Sequence, residues 1–297
     1  MERNLDKTRE TVNFMLKGKT ILITGASSGI GLQTALALAR QGAEVVMVGH
    51  DPERSKDALE RVKTESRNDS VSLLTADLSD LHSVRQLAED FKASHSRLDV
   101  LVNNAGGIFK GGARTPDGLE YSFAVNHLGH FLLTTLLLDQ LKASTPARSV
   151  NVSSAAHHMG RDRVEKLRTG TGRAGGWQAY CDSKLENALF TMELARRLEG
   201  TRVTANCLHP GVVRTRFGKS GSALVPLGFL LIYPFTINSD QGAQTSIYLA
   251  SSPDVEEVSG KYFVRKRVST ASRLAQDPEL AKRLWEFSEE LIIPLRT

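Results

Sequence analysis

Cysteine is scarce in this chain, because only Cys181 and Cys207 occur among its 297 residues. Two cysteines without the spacing of a zinc or thioredoxin-type site exclude a disulfide framework and favour a reducing, cytoplasmic location. Long apolar runs are also lacking. The most apolar stretch, Ala223–Phe235, contains two prolines and is shorter than the roughly 20 residues of a membrane-spanning helix. No signal-peptide core follows Met1, so we expect a soluble protein without a membrane span.

Charge of one sign is not in strong excess. The chain has 38 Lys and Arg against 33 Asp and Glu, a net charge of +5 that is spread along its length. A short basic run at Arg265–Arg267 is typical of a solvated face, and nucleic-acid binding is only a minor alternative for it. Hydrophobic residues make up 40% of the chain, which is typical of a globular protein.

Short β-branched runs alternate with longer amphipathic stretches, a pattern typical of parallel strands joined by crossover helices. The pattern predicts strands at Thr20–Thr24, Glu44–Val48, Val71–Thr75, Val100–Asn103, Ser149–Val152, Val203–Leu208 and, more weakly, Lys261–Val264. It predicts helices at Ile30–Gln41, Asp51–Glu65, Leu81–His95, Gly118–Ala143, Ala179–Glu199 and Pro278–Leu291. The sequence therefore predicts an α/β fold, a doubly wound parallel sheet of the Rossmann type. We expect a single domain over residues 18–297, preceded by an N-terminal arm over residues 1–17.

Two segments depart from this alternation. The segment at about 160–176 is rich in Gly, Arg and Lys, which predicts an exposed insertion that acts either as a lid or as a plain surface loop. The segment at about 216–240 is apolar, which favours a loop over a lipophilic substrate. A buried packing helix or a dimer contact is the alternative for the second segment.

A glycine-rich segment follows the first predicted strand and opens directly into a helix. Glycines allow a sharp turn close to a pyrophosphate, and the N–H groups of a helix start attract its negative charge. The spacing Gly-x-x-x-Gly-x-Gly differs from the common dinucleotide fingerprint, and an ordinary tight turn is the alternative. The candidate cofactor contacts are Gly25, Ser27, Ser28, Gly29, Ile30 and Gly31.

The end of the second predicted strand bears on the choice of cofactor. NAD-binding chains place an acidic residue about 20 positions beyond the glycines, on the adenosine ribose. Gly49 stands there instead, and His50 beside it can hydrogen-bond a 2′-phosphate, which favours NADP(H) while NAD(H) remains open. Asp51 is the nearest acidic residue. The alternative to a cofactor contact for Asp51 is the N-cap of the next helix, with Pro52 at the first helical position.

Tyr180 and Lys184 are four residues apart in a predicted helix, so they share one face. Positive charge beside the phenol favours phenolate and makes acid–base chemistry possible; a surface tyrosine next to a solvated lysine is the alternative. Asn104, Ser154 and Pro210 each follow a predicted strand. Such segments converge at the carboxyl edge of a parallel sheet, where ligands bind.

With these motifs the chain closely resembles the short-chain dehydrogenase/reductase family over nearly its whole length. His127-Leu128-Gly129-His130-Phe131 and Gly242-Ala243-Gln244-Thr245 resemble the branch of retinol dehydrogenases and protochlorophyllide reductases. Ser154 precedes Tyr180 by more residues than in many family members, as expected for a branch with an insertion here. The motifs that carry the resemblance are Thr24-Gly25-x-x-x-Gly29-x-Gly31, Asn103-Asn104-Ala105-Gly106, Asn126, Ser154, Tyr180-x-x-x-Lys184 and Pro210-Gly211.

The resemblance implies a role for each matching residue. Tyr180 would exchange a proton with the substrate oxygen, while Lys184 would lower the pKa of Tyr180 and bind the nicotinamide ribose. Ser154 would stabilise the substrate oxygen, with Ser153 as a structural neighbour, and Asn126 would position a water in a proton relay to Lys184. The implied cofactor contacts are Asp77 and Leu78 at the adenine, Asn104, Ala105, Gly106, Pro210 and Gly211 along the cleft, and Val213 and Thr215 at the carboxamide.

The resemblance implies an NADP(H)-dependent oxidoreductase that transfers hydride between the nicotinamide and a lipophilic carbonyl or alcohol. A homodimer or homotetramer is expected for the same reason. Two alternatives are a non-catalytic NADP(H) sensor or scaffold and a light-dependent pigment reductase. A metal site at His127 and His130, or at His157 and His158, is disfavoured because no carboxylate or cysteine completes a ligand set.

Overall fold

The computed structural model of the chain describes residues 15–168, 176–212 and 237–293. In these residues one sheet contains β1 Thr20–Thr24, β2 Glu44–Gly49, β3 Val71–Thr75, β4 Val100–Asn103, β5 Ala147–Val152, β6 Val203–His209, β7 Lys261–Val264 and β8 Arg267–Ser269. The strand order is β3-β2-β1-β4-β5-β6-β7-β8. Neighbours pair in parallel except β8, which is antiparallel to β7. The predicted doubly wound parallel sheet is confirmed.

Helices cover both faces of this sheet. They are α1 Gly29–Arg40, α2 Pro52–Ser66, α3 Leu81–Ser94, α4 Tyr121–Phe123, α5 Gly129–Leu136, α6 Leu138–Ala143, α7 Val164–Arg168, α8 Gly176–Arg197, α9 Ser239–Ser251 and α10 Pro278–Ile292. Among the described residues, no helix is both long and apolar enough to cross a lipid bilayer.

Side chains of β1 alternate between two apolar cores, one on each face of the sheet. Leu22 is buried in the core that also contains Phe131 and Leu189. Ile21 and Ile23 are buried in the opposite core. Burying a side chain of this size contributes about 1.5–3 kcal/mol, which explains why a central parallel strand consists of apolar residues on both faces.

The prediction of one continuous helix over Gly118–Ala143 is wrong, because several shorter helical segments occupy this range. Gly118 has a φ of +77° and belongs to a turn, and the Glu120 carboxylate then caps α4 by accepting hydrogen bonds from the main-chain N–H groups of Ser122 and Phe123. A π-helical segment, Ala124–Leu128, separates α4 from α5. A short π segment inside a helix is often found at a functional site.

Both irregular segments fall partly outside the described residues. The segment at about 160–176 contains the short helix α7, and Gly176 already begins α8. Residues 169–175 and 213–236 are not described, so the roles predicted for both segments remain untested. Where the description resumes, the main-chain N–H of Ile237 donates to the Val212 carbonyl at 2.8 Å.

Candidate active site

The turn between β1 and α1 fits a pyrophosphate. Gly25 has a φ of +66°, and a Cβ there would lie 2.8 Å from the Cα of Ala105, so only glycine fits. Ser28 is the N-cap of α1 but makes no side-chain hydrogen bond to the helix, and no acidic residue lies in the first turn. The N–H groups and the positive end of the helix dipole are therefore available to an anion.

Asn104 attaches the glycine turn to the end of β4. Its side-chain amide donates to the Thr24 carbonyl at 2.8 Å, and its main-chain N–H donates to the Thr24 hydroxyl at 2.9 Å. The N–H of Ala105 donates to the same hydroxyl at 3.0 Å. Asn104 and Ala105 therefore lie beside the predicted cofactor turn, as their motif suggested. Thr24, which was quoted in the motif without a role, holds both of them to the turn.

The adenine end of the predicted cofactor site lies beyond β2 and β3. His50 Nδ1 is 3.8 Å from Asp77 Oδ2, and both side chains reach solvent. Asp77 Oδ1 accepts two hydrogen bonds from Ser79, while Leu78 is buried. Asp51 caps α2 by accepting from Arg54 N at 3.1 Å; the capping alternative raised for Asp51 is therefore confirmed.

Gly49 leaves no space for a side chain at the position where an acidic residue would bind the ribose. A Cβ on Gly49 would overlap Ser55 Oγ and would lie 3.4 Å from Ser27 Cβ. An aspartate at this position would require α2 to move.

Two neighbouring serines at the end of β5 have different surroundings. The Ser153 side chain is buried and donates to the Lys184 main-chain carbonyl at 2.7 Å. The Ser154 hydroxyl accepts from Ala156 N at 3.2 Å and forms a hydrogen bond with the Tyr180 side chain. Ser153 therefore has a structural contact, and Ser154 is the serine that meets the tyrosine.

Tyr180 and Lys184 lie on the same face of α8. Lys184 Nζ is 5.7 Å from the centre of the Tyr180 ring and donates to the Val152 carbonyl at 3.0 Å. Both side chains are buried. The predicted pair is therefore packed against the end of β5 rather than exposed to solvent.

Burial dominates the electrostatics of this pair. It raises the pKa of Tyr180 to about 12, and the hydrogen bond with Ser154 acts in the opposite direction. Burial lowers the pKa of Lys184 to about 8. The lowering of the Tyr180 pKa by Lys184 stays a prediction.

Asn126 lies in the π segment, and its side-chain amide makes three hydrogen bonds. Oδ1 accepts from Gly107 N at 2.9 Å, while Nδ2 donates to the Gly107 carbonyl at 3.0 Å and to Ser183 Oγ at 2.9 Å. A Cβ on Gly106 would lie 2.7 Å from Asn126 Oδ1 and 3.4 Å from Lys184 Nζ. The side-chain amide of Asn126 therefore links the loop at Gly107 to α8, and its main-chain carbonyl accepts a further hydrogen bond from His130 Nδ1 at 3.1 Å.

Pro210 and Gly211 follow β6 and are half-buried, and Gly211 has a φ of +98°. Val213 and Thr215, predicted at the carboxamide, lie outside the described residues. No role was predicted for Ser183 from the sequence, although it directly precedes Lys184. His157 was weighed only as a ligand of a disfavoured metal site, whereas its Nδ1 donates to the Ser154 carbonyl at 2.7 Å.

Known proteins resemble this chain over most of its length. Residues 19–223 match the family model described as short chain dehydrogenase. Retinol dehydrogenase 12 of Homo sapiens is 44% identical over 280 residues, which is 94% of this chain and 88% of the human protein.

Solved structures share the fold. A protein from Mycobacterium Paratuberculosis has a TM-score of 0.75 and 36% identity, with 93% of each chain covered. RhlG of Pseudomonas aeruginosa, solved as an active-site complex with NADP, has a TM-score of 0.67 and 25% identity over 85% of this chain and 96% of RhlG. Together with the family match, these relatives show that the chain belongs to the short chain dehydrogenase family of oxidoreductases, where it is similar to the retinol dehydrogenases.

Proposed function

We propose that the protein is an NADP(H)-dependent oxidoreductase that interconverts a lipophilic aldehyde or ketone and the corresponding alcohol. One observation carries this proposal. Ser154 follows β5 and is distant in sequence from the helical pair Tyr180 and Lys184, yet it is hydrogen-bonded to Tyr180, and Lys184 Nζ lies 5.7 Å from the ring centre of Tyr180.

Tyr180 is the proton donor for the substrate oxygen during reduction. Its pKa of about 12 keeps the phenol protonated at neutral pH, so a proton is always available. In the oxidative direction the same oxygen takes the proton from the alcohol, and positive charge nearby is needed to favour phenolate. The nicotinamide, when bound, supplies the hydride in reduction and accepts it in oxidation.

Lys184 and Ser154 support this proton transfer. An ammonium has three N–H donors, of which one is used by the Val152 carbonyl; the other two are assigned to the nicotinamide ribose and to the relay water, while the positive charge stabilises the anion that forms on Tyr180. Ser154 stabilises charge on the substrate oxygen through its hydroxyl. Asn126 orders the surrounding loop through Gly107 and Ser183 and offers its carbonyl to a water that supplies protons to Lys184.

The preference for NADP(H) rests on the end of β2. A side chain at position 49 would collide with Ser55, so no carboxylate stands there, and the Asp51 carboxylate is engaged at the start of α2. The exposed His50 is then a hydrogen-bond partner for a 2′-phosphate. The NADP complex of RhlG supports the same preference.

A lipophilic substrate is favoured by the side chains packed around Tyr180. Ala156 and Cys181 are buried beside it, and Ile108 and Trp177 pack against this group. The centres of the Trp177 and Tyr180 rings are 5.6 Å apart. An apolar wall next to a proton donor suits a carbonyl on an apolar chain or ring.

The proposal is tested by assaying a panel of aldehydes, ketones and alcohols with NADPH, NADH and their oxidised forms. Absorbance at the reduced nicotinamide band reports turnover. We expect turnover of apolar carbonyls with NADPH and a smaller kcat/KM with NADH.

The Ser154→Ala variant is assayed in parallel, because a contaminating reductase would be unaffected by it. Cofactor binding without turnover of any compound would contradict the proposal and would favour a non-catalytic NADP(H) sensor. Turnover that persists in Ser154→Ala would contradict the assignment of the site.

A further inference from the structure

His130 is a buried side chain at the start of α5 that touches two parts of the candidate active site. Its Nε2 is 2.9 Å from the Thr24 hydroxyl, which directly precedes the glycine turn. Its Nδ1 is 3.1 Å from the main-chain carbonyl of Asn126. Only 2% of the residue is exposed.

The surroundings of the Thr24 hydroxyl define which ring nitrogen of His130 carries the hydrogen. Thr24 Oγ1 accepts from the N–H groups of Asn104 at 2.9 Å and Ala105 at 3.0 Å, which occupies both acceptor positions of a hydroxyl. Its own hydrogen is left to donate, and His130 Nε2 at 2.9 Å is closer than the Val102 carbonyl at 3.4 Å. Nε2 is therefore the acceptor.

The other side of the ring gives the same assignment independently. The Asn126 carbonyl can only accept, so Nδ1 must carry the hydrogen and donate. Burial lowers the pKa of His130 to about 4, and the charge of Lys184 acts in the same direction. The imidazole thus remains neutral, in one tautomer, at neutral pH.

We infer that His130 is a positioning residue. Its neutral imidazole joins the Asn126 carbonyl to the Thr24 hydroxyl and so fixes the position of the π segment Ala124–Leu128 relative to the glycine turn. This inference rests on the proposed function. The side chain of Asn126 is engaged by Gly107 and Ser183, and its main-chain carbonyl accepts from His130. His130 therefore fixes the main chain of Asn126, while Gly107 and Ser183 fix its side chain.

The two contacts of His130 can be removed separately. In His130→Asn the amide replaces Nδ1, so the bond to the Asn126 carbonyl is retained and the bond to Thr24 is lost. In His130→Gln the longer side chain places its amide at the position of Nε2, so the bond to Thr24 is retained and the bond to the Asn126 carbonyl is lost. Loss of one hydrogen bond in a buried site corresponds to roughly tenfold in an equilibrium or rate constant.

We expect the two variants to have opposite effects. His130→Gln should lower kcat about tenfold at saturating NADPH with little change in the Kd of NADPH, whereas His130→Asn should weaken NADPH binding about tenfold with kcat nearly retained. The matched control is His127→Gln, because His127 is also buried on this helical stretch but contacts Ser288 at 3.0 Å. That variant should lower thermal stability without changing either parameter.

Three results distinguish failure of the inference from failure of the proposed function. If kcat and the Kd of NADPH change together in both His130 variants, the inference is overturned while the proposed function stands. The same holds if both parameters in the His130 variants equal those of His127→Gln. If the wild-type protein turns over no carbonyl, the proposed function fails, and the Kd of NADPH for His130→Asn still tests the contact to Thr24.

The tautomer itself is measured on the wild-type protein, which removes any dependence on the folding of variants. Long-range ¹H–¹⁵N spectra of histidine-labelled protein at neutral pH should show a neutral His130 ring, with its single N–H hydrogen on Nδ1. A hydrogen on Nε2, or a charged ring, would overturn the inference.

Discussion

The Ser153 hydroxyl donates a hydrogen bond of 2.7 Å to the main-chain carbonyl of Lys184, and so fixes α8 to the end of β5. The next residue, Ser154, directs its hydroxyl to Tyr180 on the same helix. One serine therefore aligns the helix, and its neighbour meets the tyrosine that the helix presents.

Substitution of each serine by alanine should separate these two roles. Ser153→Ala should lower the free energy of unfolding by about 0.5–1.5 kcal/mol, because one buried hydrogen bond between β5 and α8 is lost while the Lys184 carbonyl stays within the helix. Ser154→Ala should lower kcat by about 10²-fold or more, because a donor to the substrate oxygen is removed, whereas Ser153→Ala should leave kcat much less affected. Denaturant unfolding and steady-state kinetics of the two variants provide the check, and equal effects on kcat would contradict the assignment of Ser154.

The reductive reaction should lose rate as pH rises through about 8. Burial lowers the pKa of Lys184 to about 8, so its positive charge is present below this pH and is lost above it. Tyr180, with a pKa of about 12, keeps its proton over the same range and so does not account for the decline. The measurement is kcat for reduction between pH 6 and pH 10 at saturating NADPH.

Lys184→Arg provides the control for this pH profile. The guanidinium stays charged throughout, although its planar shape does not reproduce the contacts of an ammonium. We expect a lower kcat that no longer declines near pH 8. An unchanged decline in the variant would assign the titration to another group.

His50→Asp should move the cofactor preference towards NADH. A carboxylate at this exposed position repels a 2′-phosphate but can accept from a ribose hydroxyl. The ratio of kcat/KM with NADPH to kcat/KM with NADH should fall about tenfold, which corresponds to roughly 1.4 kcal/mol. His82→Asp makes the same change of charge at another exposed histidine and should leave the ratio unchanged; a similar shift in both variants would contradict the role of His50.

Trp177→Ala should weaken binding of large apolar substrates more than that of small ones. The indole packs against the group around Tyr180, so its removal takes away apolar surface worth about 25 cal/mol per Å² of contact. We expect KM to rise several-fold for a long-chain aldehyde and to change little for a small carbonyl. Equal changes in KM for both would indicate that Trp177 does not contact the substrate.

Much of the fold could be predicted because strands buried on both faces and amphipathic helices leave strong local patterns. β1, β3, β4 and β7 have the predicted bounds. β8 was missed because it is three residues long and exposed, so it has neither length nor apolar alternation. Its pairing depends on the turn at Arg265 and Lys266, both with positive φ.

The candidate site was predictable to the extent that motifs name its residues. Asn126 was named, but the interruption of its helix was not, because the π segment coincides with hydrogen bonds between Asn126 and Gly107, which lies 19 residues earlier. The partners of His130 were hidden for the same reason, since Thr24 lies 106 residues away. Local patterns predict elements, whereas buried polar contacts between elements require their packing.

The kcat of the Tyr180→Phe variant, with the Kd of NADPH measured on the same sample, tests whether Tyr180 is the proton donor. Removing the hydroxyl removes the proton donor and leaves the ring, so kcat should fall about 10²–10⁴-fold while the Kd stays nearly the same. Tyr248→Phe is the control, because Tyr248 lies on α9 and packs against Phe263; its kcat should be unchanged. A Tyr180→Phe protein that retains wild-type kcat would contradict the assignment of Tyr180 as the proton donor.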